Sequence, residues 1–275
     1  YLVFGKASGW SASLDLGALN GGNGVRLDGA WGDSFFGVSV AAAGDLDRDG
    51  FADLLIGADY LTTPLLADPY GGFTQREWAG GTYVIYGKAA GWGASLDTRT
   101  GLVGGAGMVN YGATPYEMSG RSVAAAGDVN GDGYRDLLIG APEAEPGGVN
   151  GMGYTYLVFG FAAARGPSSG DLANLASPYG VRIDGATRLD RSGTSVAAAG
   201  DVNGDGFADI LISAHVASPD GRNGAGSTYL LYGKATGWST GISLATLGAS
   251  DGVRLDGPIA DGISGWSVAL AGDIN

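Results

Sequence analysis

The sequence predicts an all-β protein built from four-stranded antiparallel blades, a β-propeller or a part of one. Three observations predict it. A long internal repeat runs through the chain, each copy holds four short strand-like runs, and glycine is abundant while no segment carries a sustained helical period.

GVSVAAAGDLDRDGFADLLIGA from Gly37 recurs as GRSVAAAGDVNGDGYRDLLIGA from Gly120, as GTSVAAAGDVNGDGFADILISA from Gly193, and as GWSVALAGDIN from Gly265. The leading aspartates, Asp45, Asp128, Asp201 and Asp273, are spaced by 83, 73 and 72 residues. A second element keeps step with the first: YLVFG at Tyr1, YVIYG at Tyr83, YLVFG at Tyr156 and YLLYG at Tyr229. A third follows, VRLDG at Val25, MVNYG at Met108, VRIDG at Val181 and VRLDG at Val253, always 15 residues before the Val of the next SVA.

Each copy thus offers the runs SVAAAG, DLLIGA, TYLVFG and GVRLDG, rich in β-branched and aromatic residues and bounded by Gly, Asp and Asn. Four strands per repeat of about 70 residues is the pattern of a propeller blade. Glycine supplies 54 of the 275 residues, well above the usual ~7%, as tight turns at positive φ require. The small first strand (Ala41, Ala42, Ala43) is expected innermost, where blades crowd the axis. The expected division of residues 1–275 is a partial blade at 1–29, blades at 30–112, 113–185 and 186–257, and a partial blade at 258–275. The chain opens at a third strand and stops within a fourth loop, so a fragment of a larger propeller or array is expected.

The loops between the first two strands carry the chemistry. Asp45, Asp47, Asp49 and Asp53 occupy positions 1, 3, 5 and 9 of one loop, with Gly50 at position 6 and the Phe51 carbonyl at position 7. Asp128, Asn130, Asp132, Tyr134 and Asp136 repeat the pattern, as do Asp201, Asn203, Asp205, Phe207 and Asp209. Alternate short oxygen side chains on a curled loop converge on one point, and an all-oxygen set of this size suits Ca²⁺. Helix-flanked calcium loops place Glu at position 12, where this chain has Ile56, Ile139 and Ile212. Zinc is disfavoured by the absence of Cys and a single His. Three complete calcium sites are expected, with a partial fourth at Asp273 and Asn275.

At this point the sequence resembles the FG-GAP repeats that build the integrin α-subunit propeller and many bacterial surface proteins. Residues 36–58, FGVSVAAAGDLDRDGFADLLIGA, carry the likeness, while Ser119, Ser192 and Ser264 replace the aromatic of the FG pair in later copies. The resemblance implies calcium loops between strands one and two, more blades than this chain encodes, and a ligand side formed by loops between strands two and three.

A net charge of −13 with only 15 Lys and Arg excludes a nucleic-acid or anionic-membrane surface. No apolar run of about 18 residues suits a membrane-spanning helix. Zero cysteine fits a bacterial secreted or surface protein held by packing and metal. His215, the only histidine, is expected in a surface loop on the face opposite the metals. Trp10, Trp92 and Trp238 recur in phase after strand three with Lys6, Lys88 and Lys234, which favours packing over sugar stacking. No catalytic motif appears, so the chain is read as no enzyme. From the ninth loop position to the strand-three Tyr is 30 residues in the first blade and 20 in the others. The surplus, with Tyr60, Leu61, Leu65, Leu66 and Tyr70, is expected either to contact a partner or to fold back on its own blade.

The function these features imply is a non-catalytic, extracellular or cell-surface calcium-binding propeller with an adhesion or ligand-binding role. Its protein or glycan partner would meet the face opposite the calcium loops, and assembly with further repeats or copies is compatible with the array. The alternatives are an accessory domain of a larger secreted hydrolase and a purely structural surface-layer or filament protein.

Overall fold

The computed structural model describes residues 1–67, 73–102, 105–160, 170–238 and 241–272. Strands β1 (Leu2–Val3) and β2 (Gly24–Asp28) open the chain as an antiparallel pair. In the first full sheet, β3 (Ser39–Gly44) pairs with β4 (Asp53–Ala58). A small hairpin, β5 (Leu66–Ala67) with β6 (Phe73–Thr74), precedes β7 (Gly81–Ile85). Then comes β8 (Ser95–Asp97), and β9 (Gly107–Tyr111) completes the order β3-β4-β7-β9. The second sheet joins β10 (Ser122–Gly127), β11 (Asp136–Ala141), β12 (Tyr154–Val158) and β13 (Gly180–Asp184). The third joins β14 (Val196–Gly200), β15 (Asp209–Ala214) and β16 (Ser227–Leu231), and after β17 (Ile242–Ser243) it ends on β18 (Gly252–Asp256). These are the blades the repeat predicts. The helices among the described residues are 3₁₀ turns of three residues each.

Strand β10 lies between β3 and β14, so the small SVAAAG strands line the inner side of the array. Serines of the SVA motif knit neighbours together. Ser39 Oγ donates to the Gly120 carbonyl at 2.8 Å, while Ser122 Oγ accepts from Val196 N at 3.0 Å and Ser195 Oγ from Val268 N at 3.1 Å. The sheets approach so closely that a Cβ on Gly57 or Gly140 would lie 1.9 Å from the carbonyl oxygen of Gly120 or Gly193. Only glycine fits there, whatever its φ.

The apolar core lies between sheets rather than within them. Ala43, Leu55 and Val84 of the first pack with Val123, Ile139 and Tyr156 of the second. Leu138, Leu157 and Ile183 of the second pack with Val196, Ile210 and Ile212 of the third. At the outer rim, β8 adds to β2 and β17 to β13 as short parallel strands, and Asp171 bridges Tyr111 in the same sense. Each blade is thereby clasped by the connection between strands three and four of the next.

The in-phase tryptophans close turns. Each indole N–H donates to the carbonyl of the lysine four residues earlier, at 3.0, 3.3 and 2.7 Å for Trp10, Trp92 and Trp238. Each lysine ammonium lies 4.7–5.3 Å from the same ring centroid. Trp92 also meets Phe4, and Trp238 meets Phe159, from the preceding sheet.

Candidate metal centre

A bulge sets each loop in place. The β3–β4, β10–β11 and β14–β15 ladders all slip one residue at Gly44, Gly127 and Gly200, which have positive φ and tip the chain out of the sheet. In the first loop Asp45 accepts from Asp49 N and Gly50 N, each at 3.0 Å. Asp47 accepts from Asp49 N at 3.2 Å, and Asp49 from Phe51 N at 2.8 Å. The result brings oxygens of Asp45, Asp47 and Asp49 within 4.8 Å of one another on the exposed side of the loop.

The other loops repeat the weave. Asp128 accepts from Gly131 N and Gly133 N, and Asp201 from Gly204 N and Gly206 N. Asn130 and Asn203 donate their amides to Asp132 and Asp205 at 3.0 and 2.8 Å. An amide at position 3 relieves like-charge crowding there, so the first loop, with Asp47, has the greatest need of a cation. The donor set is all oxygen, with carboxylates converging at the first loop, and it fits a hard divalent ion such as Ca²⁺.

The ninth-position aspartates behave differently from positions 1, 3 and 5. Asp53 is buried, and its two oxygens accept from Leu46 N and Gly87 N, both at 2.7 Å. Asp136 accepts from Val129 N and Gly160 N, and Asp209 from Val202 N and Gly233 N, all at 2.8 Å. Each carboxylate therefore braces the loop to the glycine two residues past the end of strand three. Burial raises both Asp53 and Asp136 above the usual carboxylate range, Asp136 to about 7, against the lowering effect of these hydrogen bonds. Asp273 and Asn275, the expected fourth site, lie outside the described residues.

Neighbouring loops touch. The Arg48 guanidinium lies 3.7 Å from the Tyr134 ring centroid and donates to the Gly133 carbonyl. Tyr134 and Phe207, expected to offer carbonyls, thus also serve by their rings, since Phe207 packs beside Gly131.

The opposite face is built from the connections that lead into each first strand and from those between strands two and three. Leading into the strands, Asp33 and Phe35, Tyr116 and Met118, Leu189 and Arg191, and Asp261 and Ile263 all hold φ between 43° and 66°. Left-handed backbone at eight non-glycine positions is costly and recurs where a surface is being shaped. Phe35, Tyr60, Trp78 and Tyr116 form a continuous row with centroids 4.9, 5.4 and 5.7 Å apart. Phe35, Trp78 and Tyr116 are exposed. A cleft of about 720 Å³ beside them reaches Arg121, Glu143, His215 and Trp266.

His215 departs from its expected surface setting. It is 6% exposed, because the Trp266 ring packs edge-on to it at 4.8 Å, and burial lowers its pKa. The first-blade insertion divides. Leu61 is fully buried and Thr63 accepts from Arg76 N at 2.9 Å, while Leu65 is exposed. Tyr70 lies outside the described residues.

A family model described as FG-GAP repeat matches residues 36–84, 119–157 and 192–231. Integrin alpha-7 from Homo sapiens is 35% identical over 118 residues, 43% of this chain and 8% of that protein. Integrin alpha-3 from Mus musculus is 32% identical over 109 residues, 40% of this chain and 8% of that protein. Integrin alpha-IIb from Homo sapiens is 32% identical over 164 residues, 57% of this chain and 13% of that protein. The chain spans about a tenth of the length of the curated relatives it matches. These relatives are vertebrate proteins and lend no support to the bacterial source suggested by cysteine usage. No described helix is long and apolar enough to cross a membrane.

Proposed function

Starting from a chain of FG-GAP repeats folded as integrin-like propeller blades, we propose that it is a calcium-stabilised, extracellular and non-catalytic adhesion module. The observation that carries the calcium reading is the convergence of Asp45, Asp47 and Asp49 oxygens within 4.8 Å at an exposed loop. Those three with the Phe51 carbonyl would hold one ion. Asp128, Asn130, Asp132 and the Tyr134 carbonyl would hold a second, and Asp201, Asn203, Asp205 and the Phe207 carbonyl a third. The bound cation neutralises each loop, and the buried Asp53, Asp136 and Asp209 fasten the loops to the sheets.

The aromatic row and cleft on the opposite face support that face as the place where a protein or glycan partner binds. Exposed aromatic side chains on left-handed loops supply contact area at low entropic cost. Titrating chelated protein with Ca²⁺ tests the metal. The melting temperature should rise to saturation, adding about 2.7 kcal/mol at a hundred times the dissociation constant. A melting temperature indifferent to Ca²⁺ overturns the calcium role.

A further inference from the structure

The three full sheets share one register, and one position in it is filled differently in each. In the second sheet Tyr154 occupies it, four residues before the strand end, opposite Asp184. The Tyr154 ring covers the Arg182 guanidinium at 4.5 Å and meets Tyr156 edge-on at 5.8 Å. Behind it the Tyr156 hydroxyl donates to the buried Glu117 at 3.0 Å. In the first sheet the position is Gly81, and the space above it is taken by the buried Leu61, whose Cδ2 lies 2.6 Å from where a Cβ would stand.

In the third sheet the register places Ser227 where Tyr154 stands, Tyr229 where Tyr156 stands, and Arg254 and Asp256 where Arg182 and Asp184 stand. Ser227 Oγ turns away to Asp256 at 2.8 Å. Asp190 replaces Glu117 with one methylene fewer, and among the described residues no hydrogen bond reaches the hydroxyl of Tyr229, which is 2% exposed. A cavity of about 650 Å³ opens here, lined by Asp190, Ser227, Tyr229 and Arg254, with Asp220 and Asp261 at its rim.

We propose that this cavity is a receptor for a tyrosine side chain presented by a protein partner next to basic residues. The second sheet shows the fit internally, with a phenol ring stacked on the equivalent arginine and edge-on to the equivalent tyrosine. Arg254 leaves its planar face for such a ring, and Tyr229 and Asp190 offer a hydroxyl and a carboxyl to the incoming phenol. Of the rim aspartates, Asp220 is ion-paired with Arg222 at 3.3 Å, so Asp261 is the one that favours a cationic neighbour on the same segment. The assignment rests on the metal-distal face being the partner surface only for what delivers the ring.

Calorimetric titration of the whole chain with Ac-Lys-Tyr-Lys-NH₂ and Ac-Lys-Ala-Lys-NH₂ tests it. The tyrosine peptide should bind roughly tenfold or more tightly than the alanine peptide, the worth of one stacked ring. Ser227→Tyr, which supplies the ring from within, should abolish that preference while leaving the melting temperature no lower. Should that variant fold poorly, Arg254→Met should still remove the preference by deleting the stacking face. Equal affinities for the two peptides, absence of binding at millimolar peptide, or a preference that survives both substitutions overturns the proposal. Indifference to calcium in the melting experiment would overturn the calcium role and leave this site standing, so the two failures are distinct.

Discussion

Arg76 and Asp171 form a bidentate ion pair, Nη1 to Oδ1 at 2.6 Å and Nη2 to Oδ2 at 3.0 Å, across the seam between the first and second blades. Arg76 follows the first-blade insertion, and its Nη1 also donates to the Gly112 carbonyl at 2.8 Å. Asp171 lies on the connection that bridges Tyr111, and both side chains are nearly buried, at 11% and 3% exposure. The insertion thus anchors the clasp between two blades as well as covering its own sheet.

Breaking a buried pair strands the remaining charge, so Arg76→Ala should cost about 3–5 kcal/mol in urea unfolding. Arg76→Lys should recover little of that, because an ammonium cannot reproduce the two-pronged fork. A cost under about 1 kcal/mol would rank the pair with exposed ion pairs and remove the insertion's clasping role.

The blade architecture was legible because packing against both neighbours holds the same residues in phase: the SVA strand, the DLL strand and the paired Lys and Trp recur at fixed offsets. The division of labour inside the metal loops was not legible. Asp49 and Asp53 are the same residue type four apart, yet Asp53 takes its second N–H from Gly87, a partner 34 residues away that loop spacing cannot reveal. The aromatic row was hidden for a related reason. Phe35, Tyr60, Trp78 and Tyr116 come from out-of-phase positions, and only the curvature of the array brings them together.

Position-specific substitution in the second loop separates ligand from brace. Asp132 is exposed and Asp136 buried. Asp136→Ala leaves two buried N–H groups without an acceptor and should cost about 3 kcal/mol with or without chelator. Asp132→Ala should lower the melting temperature much more with Ca²⁺ than without it, since in chelator it loses only the exposed hydrogen bonds from Tyr134 N and Asn130 Nδ2 and relieves repulsion with Asp128. An equal loss of stability with Ca²⁺ and in excess chelator would show that this carboxylate, too, is a brace and not a ligand.

Glu117 gives the fold a pH dependence of defined sign. Burial raises it from 4.5 to about 7, against the lowering effect of hydrogen bonds from Thr114, Ala113 and Tyr156. The native chain therefore holds the extra proton between those values, so the contribution is complete at acid pH and is lost as pH rises through about 7. Relative to wild type, Glu117→Gln should remove a decline of roughly 3 kcal/mol across this window. Parallel stability–pH curves for the two proteins would mean that Glu117 is ionised throughout.

The last prediction concerns the sixth loop position, where Gly50, Gly133 and Gly206 hold φ of 93°, 86° and 91°. A Cβ at Gly206 would meet nothing within 4 Å, so Gly206→Ala isolates the backbone strain, about 1 kcal/mol. At Gly133 the added Cβ would stand 3.1 Å from Arg48 Nη2, the group that donates to the Gly133 carbonyl. Gly133→Val adds β-branching to the left-handed strain and pushes Arg48 off its carbonyl and its Tyr134 ring. Since Arg48 belongs to the first loop, Ca²⁺ titration should find affinity reduced at the first and second loops together after Gly133→Val. After Gly206→Ala the loss should be confined to the third loop. Equal costs for the two substitutions, with no change at the first loop, would show that Arg48 does not couple neighbouring sites.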